Sequence, residues 1–233
     1  MSARFDVGPF EILIQRAWFA VELIDPIALE SVVSDLKVTL VGSESRPIVT
    51  GSGRFAWPLR DGAALPQQVS VRSLSRIYAD TTYRIQQPPA PVSRELLFRL
   101  MLKPLPGYPY TNGMTLVRGR LIETKPLAGQ QPRGVGNASV RIRWRNRVGN
   151  PPADVDSDGP AAACSASGHF ASGLPLPRGA LPRMLADDSL NARLVIERPS
   201  GALAPMVRIS PALQGLKEAQ ALVLAQPLVW DQL

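Results

Sequence analysis

The sequence predicts an all-β protein made of two antiparallel β-sandwich modules in tandem, and three observations carry that expectation. Proline (23) and glycine (18) punctuate the 233 residues too densely for long helices. Between these breaks, apolar and polar residues alternate at period two in runs of five to eight, the pattern of half-buried strands. Four sequence features then recur in the same order about a hundred residues apart. Hydrophobic residues make up 45% of the chain, enough to bury a sizeable core.

Residues 1–16 read as an N-terminal arm whose apolar cluster, Phe10, Ile12, Leu13 and Ile14, suits an extra edge strand or a strand added to a neighbouring subunit. The first module is expected over 17–103. In its opening strand Phe19, Val21 and Leu23 oppose Ala20, Glu22 and Ile24, and Asp25-Pro26 ends the strand as a turn. Leu36, Val38 and Leu40 then share one face, with Lys37 and Thr39 on the other. Gly51-Ser52-Gly53 turns the chain into a strand where Phe55 and Trp57 share a face, and Gln68–Leu74 follows as a fourth strand. A proline-rich connector from Gln86 leads into ELLFRLMLKP, whose apolar residues on both faces predict a central strand.

Residues 104–113, PLPGYPYTNG, read as the linker, because three prolines leave little backbone for a sheet. The second module is expected over 114–233. Leu116, Arg118, Arg120 and Ile122 alternate with Val117, Gly119, Leu121 and Glu123, and Pro126–Gly129 turns the chain. In VRIRWRNR, Val140, Ile142 and Trp144 face inward, and Arg141, Arg143, Arg145 and Arg147 face out. A one-residue slip would bury four guanidiniums, so the register is firmly set. Residues 149–164 read as a polar loop insert, 183–190 as a short helical turn, and 191–197, 204–210 and 220–230 as the remaining strands.

The recurrence pairs VELIDPIA with RLIETKPLA, LKVTL with VRIRW, SGRF with SGHF, and RLMLKPLP with LVLAQPLV. The second copy's V-x-G-x-L strand, P-L-A-G turn, A-S-V-x-I strand and S-x-S-G-x-F hairpin resemble the carboxypeptidase regulatory-like, or prealbumin-like, β-sandwich family. The resemblance covers Leu116–Pro177 well and Phe19–Pro58 loosely, and departs from the family pattern at the insert Gln130–Asn137. It implies an Ig-like sandwich used as a structural, adhesive or regulatory scaffold, and leaves the function open. The linker LKPLPGYPYTNG is also similar in style to joins in accessory structural proteins of contractile phage-tail-like injection systems. That likeness implies a subunit of a large particle.

The formal net charge is +7, and 22 of the 26 basic residues are arginine. Such a surplus suits an anionic partner as well as plain solubility. It is spread along the chain without a basic tail, which argues against nucleic acid. A single cysteine, Cys164, excludes an intrachain disulfide. Arg4, Asp6, Glu11 and Arg16 interrupt what a signal peptide would need unbroken, and no run approaches a membrane span. The expectation is synthesis in the cytoplasm, with a place in an assembled or released particle open.

Chemistry is sparse. Asp154, Asp156 and Asp158 in DVDSDG match the first half of a calcium loop, where alternate carboxylates and a glycine turn converge on a hard cation. Against calcium, Ser165 stands where the loop needs a bidentate glutamate and Pro160 follows the glycine; the competing reading is a solvated acidic loop. No other cofactor is expected. Arg141, Arg143, Arg145 and Arg147, roughly 6.7 Å apart along an ideal strand, form a partner-binding stripe or a solvent face paired with acidic residues across strands. His169 is the sole histidine and sits at a hairpin position, no G-x-S-x-G elbow occurs, and no phosphate-binding loop follows a strand. Asp187 and Asp188 read as a turn, and Tyr108 and Tyr110 either pack between the modules or form a small aromatic platform.

The function expected is therefore non-enzymatic: a structural or adaptor component contacting other protein subunits, its own copies included, most readily in a contractile injection system. The alternative is a module binding a glycan or cell-surface ligand.

Overall fold

A computed structural model describes residues 17–58, 66–85, 96–127, 129–149, 153–200 and 203–233. The expected N-terminal arm and the proline-rich connector after Gln86 lie outside the described residues.

The alternation in β1 (Ala17–Ile24) buries Phe19, Val21 and Leu23 completely. Around it form β2 (Leu36–Leu40), β3 (Ile48–Val49), β4 (Phe55–Pro58), β5 (Gln68–Ser73), β6 (Thr81–Arg84) and β7 (Leu96–Met101). One sheet runs β3-β4-β1-β7 and the other β2-β5-β6. Their inner faces supply Phe19, Leu23, Val38, Leu40, Phe55, Trp57, Val69 and Val71 to a single core. Phe19 stacks on Trp57 with ring centroids 4.7 Å apart. The segment expected to be a central strand is instead an edge: β7 pairs only with β1, in parallel, among the described residues. Its apolar residues are half covered on one face and exposed on the other, so richness on both faces did not require a second neighbour. The Tyr83 hydroxyl donates to the Met101 carbonyl at 2.7 Å and ties this edge to the opposite sheet.

The second module repeats that wiring with β8 (Thr115–Ile122), β9 (Ser139–Val148), β10 (Ala153–Asp158), β11 (Ala162–Ala163), β12 (His169–Leu174), β13 (Ala192–Ser200), β14 (Leu203–Ile209), β15 (Ala221–Val223) and β16 (Leu228–Val229). β12 lies antiparallel and β15 parallel to β8, as β4 and β7 do to β1. β9-β13-β14 reproduces β2-β5-β6. The fold is thus all-β, two sandwiches in tandem. The turn glycine is equivalent in both: Gly53 and Gly168 have φ of +74° and +82°. A Cβ at Gly168 would stand 2.1 Å from the Leu121 carbonyl oxygen, so the hairpin closes only with glycine there.

The copies differ in three places that the sequence pattern misjudged. The insert 149–164 is not a loop; it adds β10 and β11 to β9, because its aspartates fall opposite the arginines. It also delivers Cys164 to the core, where burial pushes the thiol up to about 12. Residues 183–190 form a Met184–Leu190 bridge around a turn in which Asp188 has φ of +58°, not a helical turn. The last strand is split, with β15 and β16 each pairing with part of β8. The chain then closes on Trp230, whose ring lies under the guanidiniums of Arg198 and Arg208. Arg198 also donates to both oxygens of Glu123, at 2.7 and 2.9 Å.

The linker is a packed joint. Asp25 is 6% exposed, and its Oδ2 accepts from the Tyr78 and Tyr108 hydroxyls, each at 2.6 Å. Its Oδ1 accepts the backbone N–H of Ile27 at 2.7 Å and of Ala28 at 3.2 Å. Burial alone would raise the carboxyl's pKa; the two tyrosines and the backbone donors overcome it and hold Asp25 below the usual aspartate value. Both hydroxyls are correspondingly pushed up, by burial first and by the carboxylate second. Tyr108 meets Tyr110 edge to face at 4.8 Å, and the Tyr110 hydroxyl donates to the Ala171 carbonyl of β12 at 2.6 Å. The Ala163 N–H donates to the Pro104 carbonyl at 2.8 Å. The tyrosines therefore pack between the modules.

Two outcomes are expected. Asp25→Ala leaves buried hydroxyls without an acceptor and should lower the unfolding free energy by roughly 1–3 kcal/mol in urea titrations. Because the Asp25 pKa is depressed, its contribution is complete above the ordinary value of 3.8 and is lost as pH falls through the lower folded value. Stability of Asp25→Asn should accordingly fall less steeply with acid than wild type below about pH 4. Separately, Gly168→Ala should cost roughly 1–3 kcal/mol, from strain at positive φ plus the carbonyl clash, and should show as a lowered Tm.

Candidate interaction face

The outer face of the sheet β10-β9-β13-β14 is built by a single coincidence of period. β9 places Arg141, Arg143, Arg145 and Arg147 on alternate positions, and β10 runs antiparallel beside it with Asp154, Asp156 and Asp158 at the same period. Directly opposite residues are Arg147 and Asp154, Arg145 and Asp156, and Arg143 and Asp158. Side chains at such positions on one face meet.

The contacts form a ladder. Arg147 lies 3.6 Å from Asp154, which also engages Arg183. Arg145 pairs with Asp156 at 3.0 Å. Arg143 grips both oxygens of Asp158, at 2.6 and 2.9 Å, and Arg141 reaches the same carboxylate at 2.9 Å and Glu197 of β13 at 2.6 Å. The bond from Arg143 is the leading reason that Asp158 stays below the usual carboxylate range, and Asp158 raises the Arg143 pKa in return. Exposed pairs of this kind contribute only about 0.2–1 kcal/mol each, so their main effect is to hold the guanidiniums in fixed directions.

The ladder leaves a surplus. Arg193 on β13 stands directly opposite Arg143, is exposed, and makes no ion pair among the described residues. Arg143, Arg145, Arg193, Asp156, Asn191 and Ile209 surround a shallow cavity of about 120 Å³. An anionic group entering it would meet Arg193 unneutralised and two guanidiniums already aimed.

Beside this cavity runs an apolar edge. Leu194 and Ser210 occupy a hydrogen-bonded position of the β13–β14 pair, since the Ser210 N–H donates to the Leu194 carbonyl at 2.9 Å. Alternation along an antiparallel pair then turns the N–H and C=O of Val207 and Ile209 away from β13. No strand pairs with that side of β14 among the described residues. Val207 is 50% exposed and Ile209 43%. Pro205, the next residue of the same phase, lacks an N–H and limits the usable edge to a short stretch.

All four arginines of the expected stripe therefore lie together, and the three aspartates lie with them. The aspartates do not converge as a calcium loop would: DVDSD is an extended strand, each carboxylate is engaged by arginine, and no cluster of three metal-ligating side chains occurs among the described residues. His169 is exposed, with Nδ1 3.0 Å from the Ser167 hydroxyl, and Asp187 accepts from the N–H and hydroxyl of Ser189. Arg183, Arg193 and Glu197 were missed, as was the β14 edge. The aspartate pairing had a readable signal, a D-x-D-x-D run soon after R-x-R-x-R-x-R, with Gly-Asn-Pro-Pro in the sequence between them.

No family model matches the chain, and no curated protein matches it. Among solved structures, one described as a streptococcal ancillary pilin is similar at 10% identity, covering 88% of this chain and 60% of the pilin, with a TM-score of 0.19. The chain thus spans less than two thirds of that pilin's length, and a likeness at that score carries no argument. The all-β sandwich stands on the strand pairing itself.

Calcium should have little hold on this face. Millimolar calcium is expected to leave Tm unchanged, because binding must first detach arginine from each carboxylate. A calcium-dependent rise in Tm abolished by Asp156→Asn would overturn that expectation.

Proposed function

We propose that this protein is a non-enzymatic structural or adaptor subunit that contacts an acidic partner through the outer face of its second module. The observation that carries the reading is the adjacency of the unpaired Val207–Ile209 edge to the Arg193 cavity. A partner strand added to β14 gains main-chain hydrogen bonds, and a carboxylate on the partner fills the cavity. The packed joint at Asp25, Tyr108 and Tyr110 supports it, because a subunit that transmits position needs modules that do not swing. It also speaks against the glycan alternative: the Tyr108 and Tyr110 hydroxyls are engaged inside the joint, which leaves that pair poorly placed as a platform. The resemblance to prealbumin-like scaffolds agrees with such a role. A contractile phage-tail-like particle, suggested by the linker, is the setting we favour for it.

A photo-crosslinking residue at position 207 or 193, introduced in the producing cells, should yield a discrete covalent adduct with one other protein. The same residue at exposed Thr82 of the first module should not. Val207→Pro, which removes the edge N–H, should abolish the adduct at 193 with the protein still folded. Adducts equally strong at position 82, or insensitive to Val207→Pro, would sink the reading.

A further inference from the structure

The opposite sheet of the second module carries a separate cleft. β15 pairs with Leu116–Arg118 and β16 with Leu121–Ile122, so residues 224–227 leave the sheet beside Gly119 and Arg120. The excursion and Pro106 of the joint enclose an open cleft of about 400 Å³, within the usual size range of ligand sites. Its floor is apolar: Phe170 and Leu224 close beneath Gly119, where a Cβ would come within 2.8 and 2.9 Å of them. Glycine at 119 is therefore what lets the floor form.

The cleft's guanidiniums are the two of Arg118 and Arg120. Arg118 and Arg120 share a phase of β8, and His169 lies directly opposite Arg120 on β12. Arg120 is held in place by neutral acceptors, its Nε donating to the Ser167 carbonyl at 3.1 Å and its Nη2 to the Pro132 carbonyl at 3.0 Å, so its charge is fixed but not cancelled. Arg118 is exposed and makes no ion pair among the described residues. No carboxylate lines the cleft among the described residues. Two guanidiniums with no internal counter-charge, over an apolar floor, complement a carboxylate carried beside apolar groups.

We infer that this cleft binds an extended polypeptide segment presenting an acidic side chain next to apolar ones, with Arg118 receiving the carboxylate. The identification of the occupant as a polypeptide rests on the assembly role proposed above; the anion preference rests on the cleft alone. It is a second contact, on the opposite sheet from Arg193, which allows one chain to engage two neighbours.

The test is a titration of the full chain, followed by backbone NMR, with acetyl-Leu-Asp-Leu-Val amide, its Asn counterpart, and hexanoate. The aspartyl peptide should give saturable shifts at residues 118–120 and 169–171. The Asn peptide, or Arg118→Gln protein with the aspartyl peptide, should bind at least tenfold more weakly. Arg193→Ala should not change the cleft's affinity, so loss of the β14 contact and loss of the cleft are read separately. Absence of saturable shifts, or equal binding of the Asn peptide, overturns the anion site. Hexanoate binding as tightly as the peptide overturns the polypeptide assignment and makes the cleft a site for small organic acids.

Discussion

The arrangement of the two sandwiches depends on one buried carboxylate. Asp25 ends the first strand of the first module, yet its Oδ2 collects the Tyr78 hydroxyl from its own module and the Tyr108 hydroxyl from the linker. A lone buried charge is normally costly, and here four donors satisfy it, with no cation bonded to it among the described residues. The bonds are directional, so they fix where Tyr108 sits, and Tyr108 in turn seats Tyr110 on β12. A proline-rich segment that would otherwise be a tether becomes a hydrogen-bonded joint.

The ladder follows another logic. Its three aspartates come from the insert that the first copy lacks, and with Glu197 of β13 they compensate most of the positive charge that β9 would expose. A face of bare arginines would attract any polyanion. A face with most of them paired, and Arg193 without an ion pair among the described residues, would in the proposed role narrow the match to a partner with a carboxylate at one position beside an apolar strand.

Much of the fold could be read from the residues because period-two burial and turn chemistry are local. Phe19, Val21, Leu23, Val140, Ile142 and Trp144 lie inside, as their alternation requires. Strand position within a sheet is not local: β7 has the composition of a central strand, and only its pairing, with β1 alone among the described residues, shows it at an edge. The same limit applies to the insert, where carboxylate spacing fitted a metal loop until the opposing strand was in view. Arg193 carried no distinguishing pattern, since its lack of a counter-charge is a property of three strands together. The joint was half legible: packing of Tyr108 and Tyr110 between the modules was one of two readings, but Asp25, the common acceptor of the Tyr78 and Tyr108 hydroxyls, lies more than fifty residues from either donor.

The strands β10 and β11 decorate only one of two otherwise similarly wired modules. The two modules are consequently unlike, and a stack of such subunits joined through the decorated sheet has a direction. Growth of any array built this way would be vectorial: a subunit arriving reversed presents β2, short and with no acidic neighbour strand among the described residues, where β9 and its ladder should be.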